Sequence, residues 1–338
     1  MKNVTIKDVA KAAGVSPSTV SRVLSDSKRI SQETKDRVRK IMKELGYHQN
    51  AIARSLVTRR TDSIALVMAR PTQQAFDNPF FSMIIQGISL VTQKKHYSLV
   101  LSSTADYHEE QEETMKLIRN RRVDGVILMA SRNNDHLIKK LLELKFPFVL
   151  IGRSPEHEDI PRINNNNFKA AYDTSSYLIK NNYKKILALS GPEEYIVSQD
   201  RVAGYKKALE DYGYQENIKV VYTDDFTYQD GYNSTLNLIE DRKDSLDAIF
   251  AFDDMIALGA IRALQSLNLK VPEDLAIIGF NDDPIASYMK PALTTVKIPI
   301  VEMGEAAAAM LIRMLGEENY NGEGKILDTE LIIRESFK

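Results

Sequence analysis

The chain has 338 residues, 43% of them hydrophobic, a formal net charge of −1 and no cysteine. This length predicts two or three domains with ample core, and the lack of cysteine excludes disulfides and thiol chemistry. No stretch reaches the roughly 20 apolar residues that span a bilayer, and the polar first residues predict no secretory signal. We therefore expect a cytoplasmic protein.

Charge is divided unevenly along the chain. Residues 1–60 contain 14 Lys or Arg against 5 Asp or Glu, whereas the rest contains 31 against 41. A basic head on an acidic body is typical of a protein that binds polyphosphate with one end. The alternative is a solvated helical surface that is basic without any nucleic-acid role.

The first two predicted helices lie between Thr5 and Leu24 and are joined by a tight turn. Thr5 and Asp8 have the spacing of a capping box, and Gly14 stands where the helix must end with a positive φ. Ser16 suits the N-cap of the second helix. This pattern is typical of a helix-turn-helix, whose second helix enters the major groove; an ordinary helical hairpin is the alternative.

A third helix is predicted from Ser31 to about Leu45. Asn50 can then cap a short helix of about two turns, and residues 58–62 read as a linker. A helix this short is marginal alone because nucleation is costly. We expect it to form only when something packs on it.

From residue 63 onward the pattern changes to strands alternating with helices. The predicted strands are residues 64–69, 98–103, 125–130, 147–151, 186–191, 220–223, 248–253 and 275–280. The helices predicted between them include 81–95, 108–122, 168–181, 201–212 and 255–267. Such alternation predicts parallel sheets with right-handed crossovers, here in two doubly wound subdomains. Segments 294–298 and 301–315 are expected to return to the first subdomain.

Ligands of open α/β sheets bind beyond the carboxyl ends of the strands. Following the chain from those ends gives the candidate effector-binding residues Phe80, Phe81, Arg153, Arg201, Phe226, Asp253, Asn281 and Asp282. Carboxylates and amides bond sugar hydroxyls, and an aromatic ring packs on the apolar face of a pyranose. The alternatives are that Phe80 and Phe81 belong to the core, and that Arg201 and Asp253 form a structural ion pair.

The Asp253–Asp254 pair raises the question of metal or acid–base chemistry. No cluster of histidine or cysteine accompanies it in the sequence, so we expect no metal, no cofactor and no enzymatic activity.

Several motifs resemble one known family. In the head they are residues 4–10 continuing to 21–23, 37–39 continuing to 45–50, and 53–56. In the body they are residues 121–127, 200–205, 253–260, 278–282 and 291–296. On these residues the chain resembles the LacI/GalR family of bacterial transcription regulators over essentially its whole length. Asn78-Pro-Phe-Phe, Gly152-Arg-Ser and residues 164–167 look most like the maltose-operon repressors of Gram-positive bacteria.

The resemblance implies a homodimer that reads a pseudo-palindromic operator. Phosphate contacts fix orientation and base contacts specify sequence; Arg22 can bond a guanine edge with two donors. Leu56 matches a position where family members insert a leucine into the minor groove, although helix packing is the alternative. The implied DNA-binding residues are Thr5, Ser16, Pro17, Ser18, Thr19, Ser21, Arg22, Ser31, Thr34, Tyr47, Asn50, Ala53 and Leu56.

The expected fold is an all-α helix-turn-helix head plus an α/β body of two parallel-sheet subdomains of periplasmic-binding-protein type. The expected domains are the head at 1–46, a hinge helix and linker at 47–62, and an effector-binding and dimerisation body at 63–338. Within the body, the N-subdomain is expected at about 63–161 and 293–323, and the C-subdomain at about 162–292 and 324–338.

The expected function is repression of a carbohydrate-utilisation operon, controlled by a small sugar. The finer resemblance favours maltose or a maltodextrin. Residues 331–338 read as a last strand with no leucine heptad after it, which predicts a dimer. The alternatives are a sugar-binding protein without DNA function, a sugar-metabolising enzyme, and a regulator whose main signal is a corepressor protein. No membrane partner is expected.

Overall fold

The computed structural model divides the chain into two units, Met1–Thr61 and Asp62–Lys338. Each unit is described by itself below. The residues that the structure describes are 4–24, 26–47, 60–68, 76–104, 106–129, 132–241, 246–318 and 320–338. None of the helices within these ranges is long and apolar enough to span a bilayer.

The first unit contains three helices around a small apolar core. They are α1 (Ile6–Ala13), α2 (Pro17–Leu24) and α3 (Gln32–Glu44). One valine from each, Val9, Val20 and Val38, is fully buried in this core. Three short helices bury so little surface that each depends on the other two, so the head folds as one packed unit.

Local signals set the helix ends where the sequence predicts them. The Thr5 amide donates to Asp8 Oδ2 at 2.8 Å, and the Asp8 amide donates to Thr5 Oγ1 at 3.4 Å. Gly14 has φ +64°, which ends α1 and opens the turn to α2. The predicted helix-turn-helix geometry is therefore confirmed.

The first lobe of the body is built on a parallel sheet of six strands. Its chain order begins β1 (Ser63–Met68), α4 (Pro79–Lys95), β2 (Ser98–Ser103), α5 (Tyr107–Arg119), β3 (Gly125–Leu128), α6 (His136–Glu143), β4 (Phe148–Ile151) and β5 (Arg162–Asn165). The chain then builds most of the second lobe before returning.

The second lobe repeats the layout with a second six-stranded sheet. It contains α7 (Asn167–Lys180), β6 (Ile186–Ser190), α8 (Ile196–Asp211), β7 (Lys219–Tyr222), α9 (Tyr228–Asp241), β8 (Ala248–Ala251), α10 (Asp254–Ser266), β9 (Ala276–Asn281) and β10 (Thr294–Lys297). Then follow α11 (Ile300–Gly316), β11 (Lys325–Leu327) and β12 (Glu330–Ile332).

The strand orders identify two doubly wound lobes. They are β11-β5-β4-β3-β1-β2 in the first lobe and β12-β10-β9-β8-β6-β7 in the second. Every ladder is parallel except that between β10 and β12. The chain crosses between the lobes after β5, after β10 and after β11, so the two sheets are held side by side by three connections.

The strand pairings shift the subdomain boundaries predicted from the sequence. β5 pairs with β4 in the first sheet, so the first crossing follows residue 165, not 161. β10 pairs with β9, so segment 294–297 stays in the second lobe, contrary to prediction, and only α11 returns. β11 pairs with β5, which extends the first lobe beyond residue 323. Short strands at crossings have too few residues for periodicity to assign them.

Two strands of the structure, β5 and β11, were absent from the predicted set. The helices α6 and α9 lie between consecutive predicted strands, where helices were expected but no bounds were given, and the predicted strands agree with the structure within two residues at their ends. The predicted last strand over residues 331–338 is shorter and begins earlier, at Glu330–Ile332.

Glycine allows three helix pairs to pack with their backbones in direct contact. A Cβ on Gly87 of α4 would lie 2.0 Å from the Val301 carbonyl oxygen of α11. A Cβ on Gly204 of α8 would lie 2.1 Å from the Phe168 carbonyl oxygen, and one on Gly259 of α10 would lie 2.1 Å from the Tyr228 carbonyl oxygen. These positions leave no room for a side chain.

Candidate functional site

The helical head presents hydroxyl groups at the beginnings of α2 and α3. Ser16 Oγ accepts from the Thr19 amide at 3.1 Å and lies 2.8 Å from Ser18 Oγ. Ser31 Oγ accepts from the Thr34 amide at 3.3 Å. Hydroxyls at helix N-termini, where the macrodipole is positive, suit phosphate oxygens.

The described residues of the predicted DNA surface are accessible. Exposed members are Thr5, Ser16, Pro17, Ser18, Ser21, Arg22 and Ser31, and partly exposed members are Thr19, Thr34 and Tyr47. The predicted contacts Asn50, Ala53 and Leu56 lie outside the described residues, as does most of the predicted hinge.

Lys35 and Arg39 of the head share one structural partner, Asp26. Lys35 Nζ lies 3.0 Å from Asp26 Oδ1 and is largely buried, and Arg39 Nη2 lies 2.8 Å from the same oxygen. The contact with Lys35 holds the pKa of Asp26 below its usual range. Part of the positive charge counted from the sequence therefore stabilises the head itself.

A cleft between the two lobes of the body forms the candidate effector site. Its cavity volume is about 910 Å³, including the part open to solvent. The lining residues lie mainly at or just after the carboxyl ends of strands from both sheets. They include Met68, Asn78, Phe80, Phe81, Met129, Arg132, Ile151, Gly152, Asn164, Asn165, Asn167, Tyr195, Val197, Arg201, Phe226, Asp253, Asn281, Ile298 and Met303.

Six of the eight predicted effector contacts line this cavity. They are Phe80, Phe81, Arg201, Phe226, Asp253 and Asn281. The other two lie outside it because each is held by an ion pair. Arg153 Nε donates to Asp200 Oδ2 at 2.8 Å, and Asp282 Oδ1 accepts from Arg334 Nη2 at 2.7 Å.

Asp253 is the centre of a buried polar network. Its Oδ1 caps α10 by accepting from the Met255 amide at 2.8 Å. Its Oδ2 accepts from Asn281 Nδ2 at 2.9 Å and from Asn78 Nδ2 at 3.2 Å. Burial raises the pKa of Asp253, and these hydrogen bonds oppose the rise. Because Asn78 belongs to the first lobe, the network joins the two lobes at the cleft.

Arg201 is buried beside this network. Its Nε donates to Asn167 Oδ1 at 2.9 Å, its Nη1 donates to the Phe252 carbonyl, and its guanidinium lies 3.7 Å from the centroid of the Phe280 ring. Burial lowers its pKa to about 10, so it stays charged at neutral pH. These contacts, not an ion pair with Asp253, hold the guanidinium in place.

The two phenylalanines at the start of α4 have different surroundings. Their rings pack edge to face with centroids 5.6 Å apart. Phe81 is 8% exposed and belongs to the apolar core, whereas Phe80 packs on that core and is partly exposed. Phe81 therefore packs in the apolar core and also lines the cavity.

Sequence reasoning missed several polar residues of the cavity. They are Asn78, Arg132, Asn164, Asn165, Asn167 and Tyr195. Because β5 was not predicted as a strand, its end at Asn164 and Asn165 was not read as a ligand-facing edge. The run of four asparagines from Asn164 was the available signal: Asn165 Nδ2 donates to Asn167 Oδ1 at 3.0 Å.

The side chains of the adjacent Asp253 and Asp254 have separate partners. Asp254 is fully buried and accepts from Thr295 Oγ1 at 2.6 Å and from the Asp283 amide at 2.7 Å. Burial raises the pKa of Asp254 and also that of Asp283. Asp254 thus fixes the turn after β9, which positions Asn281. Within the described ranges, no group of three or more acidic, histidine or cysteine side chains is arranged to hold a metal.

Arg132 enters the cavity from the first lobe and reaches the second. Its Nη1 donates to Glu110 Oε2 at 3.0 Å, and Glu110 is 1% exposed. Its guanidinium lies 5.0 Å from the Tyr107 ring centroid and 5.6 Å from that of Tyr195, and its backbone forms a β-bridge with Tyr195. Burial raises the pKa of Glu110 to about 7, and Arg132 opposes this rise.

The raised pKa of Glu110 predicts a pH-dependent stability difference between the wild type and Glu110→Gln. A glutamate with an ordinary pKa of 4.5 when unfolded and about 7 when folded binds more protons in the folded state between these values. The wild type should therefore lose stability relative to the variant as pH rises from 4.5 to 7, by on the order of 3 kcal/mol. Urea unfolding at several pH values measures it, and a constant difference would contradict the assignment.

Comparison with known proteins agrees with this architecture. Residues 5–50 match the model described as "Bacterial regulatory proteins, lacI family", and residues 176–337 match "Periplasmic binding protein-like domain". The regulator CelR of Thermobifida fusca is 34% identical over 335 residues, 98% of each chain. The regulator MalR of Streptococcus pneumoniae TIGR4 is 35% identical over 323 residues, 94% of each chain.

A solved structure gives the same result. The structure titled transcriptional regulator CelR-cellobiose complex is 31% identical, has a TM-score of 0.75, and covers 98% of this chain and 99% of its own. A helix-turn-helix head joined to a two-lobed binding body defines a DNA-binding transcriptional regulator. The chain belongs to the LacI family of bacterial regulatory proteins.

Proposed function

We propose that the protein represses a carbohydrate-utilisation operon and that a neutral sugar, maltose or a maltodextrin, controls its affinity for the operator. The cleft carries this proposal. It places a buried carboxylate, a buried guanidinium and amides beside the aromatic side chains of Phe80 and Phe226. Related regulators named MalR and a CelR structure titled as a cellobiose complex support a sugar of this kind.

The proposed mechanism couples the cleft to the DNA-binding head. An effector shifts operator affinity only by its differential binding to two conformations of the protein. We propose that sugar binding changes the angle between the lobes and thereby the spacing of two hinge helices in a homodimer. Leu56 would act as the minor-groove wedge of this hinge. A role on operator DNA supports the further proposals that the protein acts in the cytoplasm and that it is not an enzyme.

Operator binding with and without sugar tests the proposal. A dyad-symmetric site is selected from random DNA, and its affinity is measured by fluorescence anisotropy at several salt concentrations. We expect a marked preference over scrambled DNA, and release on addition of maltose. No preference for any site would favour a sugar-binding protein without DNA function. Site preference without any sugar response would favour control by a corepressor protein.

Arg22 on α2 is proposed to read a base edge. A bidentate guanine contact discriminates against the wrong base by roughly 1–3 kcal/mol. Arg22→Ala should therefore lower the affinity of the protein for the selected operator. Its affinity for operators that already carry a different base pair at the contacted position should change much less. Lys7→Ala, which removes an exposed charge of α1, is the comparison. An equal loss of affinity for every operator variant would assign Arg22 to the phosphates instead.

A further inference from the structure

The cleft has two polar clusters, one at each end of a chain of contacts. The first cluster is Asp253 with Asn281 and Asn78. Asn78 Nδ2 also lies 3.4 Å from the carbonyl oxygen of Phe226. The Phe226 ring packs against the Tyr195 ring with centroids 6.2 Å apart. Contacts thus run from Asp253 to Tyr195, and there they meet Arg132.

The second cluster is Arg132 with Tyr195. A hydrogen bond with Glu110 and a contact with the Tyr107 ring hold Arg132 on the side away from the cavity. Tyr107, whose ring flanks Arg132, has its hydroxyl fixed by three contacts: it donates to Asp135 Oδ1 at 3.1 Å and accepts from the His136 amide at 2.6 Å and the Leu137 amide at 3.3 Å. Glu110 is buried beneath. An arginine supported in this way loses little conformational freedom when a ligand binds.

The charges favour a neutral ligand at the second cluster. The positive charge of Arg132 faces the carboxyl group of Glu110 at 3.0 Å. At pH values above the Glu110 pKa of about 7, the ionised carboxylate compensates this charge, and a sugar phosphate then meets little net positive charge here. A neutral ring could stack on the aromatic face of Tyr195 while its hydroxyls accept from guanidinium N–H groups of Arg132.

We propose that Arg132 and Tyr195 bind the second ring of an effector made of two linked neutral sugar rings, and that Arg132 sets the preference for two rings over one. This inference rests on the proposed function, because it assumes a sugar effector. The first ring occupies the network of Asp253, Arg201 and Asn281, beside Phe226. The second ring then lies beyond Phe226, in the part of the cavity that Arg132 and Tyr195 line.

The test compares maltose with glucose on the full-length protein. Dissociation constants are measured by calorimetry for maltose and by thermal shift at high concentration for glucose. We expect the wild type to prefer maltose at least tenfold. We expect Arg132→Ala to weaken maltose binding roughly ten- to a hundredfold and to leave glucose binding unchanged. Arg132→Lys, which keeps the positive charge beside Glu110, should lose less maltose affinity than Arg132→Ala.

Arg153→Ala separates ligand recognition from a simple link between lobes. Arg153 joins the first lobe to Asp200 of α8 without lining the cavity, so its removal should shift both sugar affinities by the same factor. If Arg132→Ala also weakens both sugars equally, or if the wild type binds both equally, the inference is overturned. If the wild type binds selected operator DNA but no neutral sugar, the proposed sugar effector itself fails.

Discussion

Arg201→Ala is expected to raise the sugar concentration needed for operator release about a hundredfold. Arg201 is 4% exposed and its guanidinium is held by Asn167 and the Phe252 carbonyl, so the group is already oriented when the effector arrives. Hydrogen bonds that involve a charged group contribute about 1.5–3 kcal/mol each. The loss of one such bond to the effector, together with the loss of the support that Arg201 gives to Asn167, accounts for a change of this size. Anisotropy of labelled operator during a sugar titration measures it.

Arg334→Ala is the matched control for the Arg201 experiment. Arg334 is partly buried in the second lobe and also donates to a carbonyl oxygen, that of Leu293, but it does not line the cavity. It should lower the melting temperature without raising the sugar requirement. If the two variants raise the requirement equally, general loosening of the lobe explains the effect and Arg201 has no direct role.

Gly87→Val is expected to destabilise the body by about 3 kcal/mol or more. The new side chain would begin 2.0 Å from the Val301 carbonyl oxygen and 2.9 Å from the Glu305 amide nitrogen, both in the backbone of α11. The contact is equally close on the facing helix, because a Cβ on Gly304 would lie 2.4 Å from the Ile84 carbonyl oxygen. Neither helix can therefore make room without moving its backbone. Overpacking of a rigid contact commonly costs 1–3 kcal/mol, and here backbone must move.

Urea unfolding followed by circular dichroism measures this loss, with Gly316→Ala as the control. Gly316 ends the same helix α11, and a Cβ there would meet nothing within 4 Å. Its replacement should change stability by less than about 0.5 kcal/mol. Gly87→Val should also weaken sugar binding, because α4 begins with Phe80 and Phe81 at the cleft. Wild-type stability in Gly87→Val would show that the helices separate at little cost.

The candidate cleft was predictable in part because strand ends are local features. Asp253 comes just after the buried strand β8 and Asn281 is the last residue of the buried strand β9, and the rule that ligands bind at such ends placed them correctly. Arg153 met the same criterion and failed, because Asp200, 47 positions away, captures its guanidinium. Nothing in the local sequence around Arg153 distinguishes a ligand-facing arginine from one held by a distant carboxylate.

Arg132 illustrates the opposite error. It follows β3 in a polar stretch with no apolar periodicity, and nothing near it marks it as a cavity residue. Its importance arises from Glu110, 22 positions earlier, and from Tyr195, 63 positions later, on the other lobe. Residues this far apart in the sequence come into contact only when the chain folds and the two lobes pack together.

The sequence by itself determined the helix-turn-helix, the two parallel sheets and six of the residues that line the cleft. Caps, glycine turns and apolar periodicity act over a few residues, so each is present in the linear chain. Only the tertiary structure decided that β10 stays in the second lobe, that β5 pairs within the first sheet, and which charged side chains face the cavity. Each of these outcomes depends on pairing between groups that are far apart in the sequence. A buried polar atom acquires such a hydrogen-bond partner only when the chain folds.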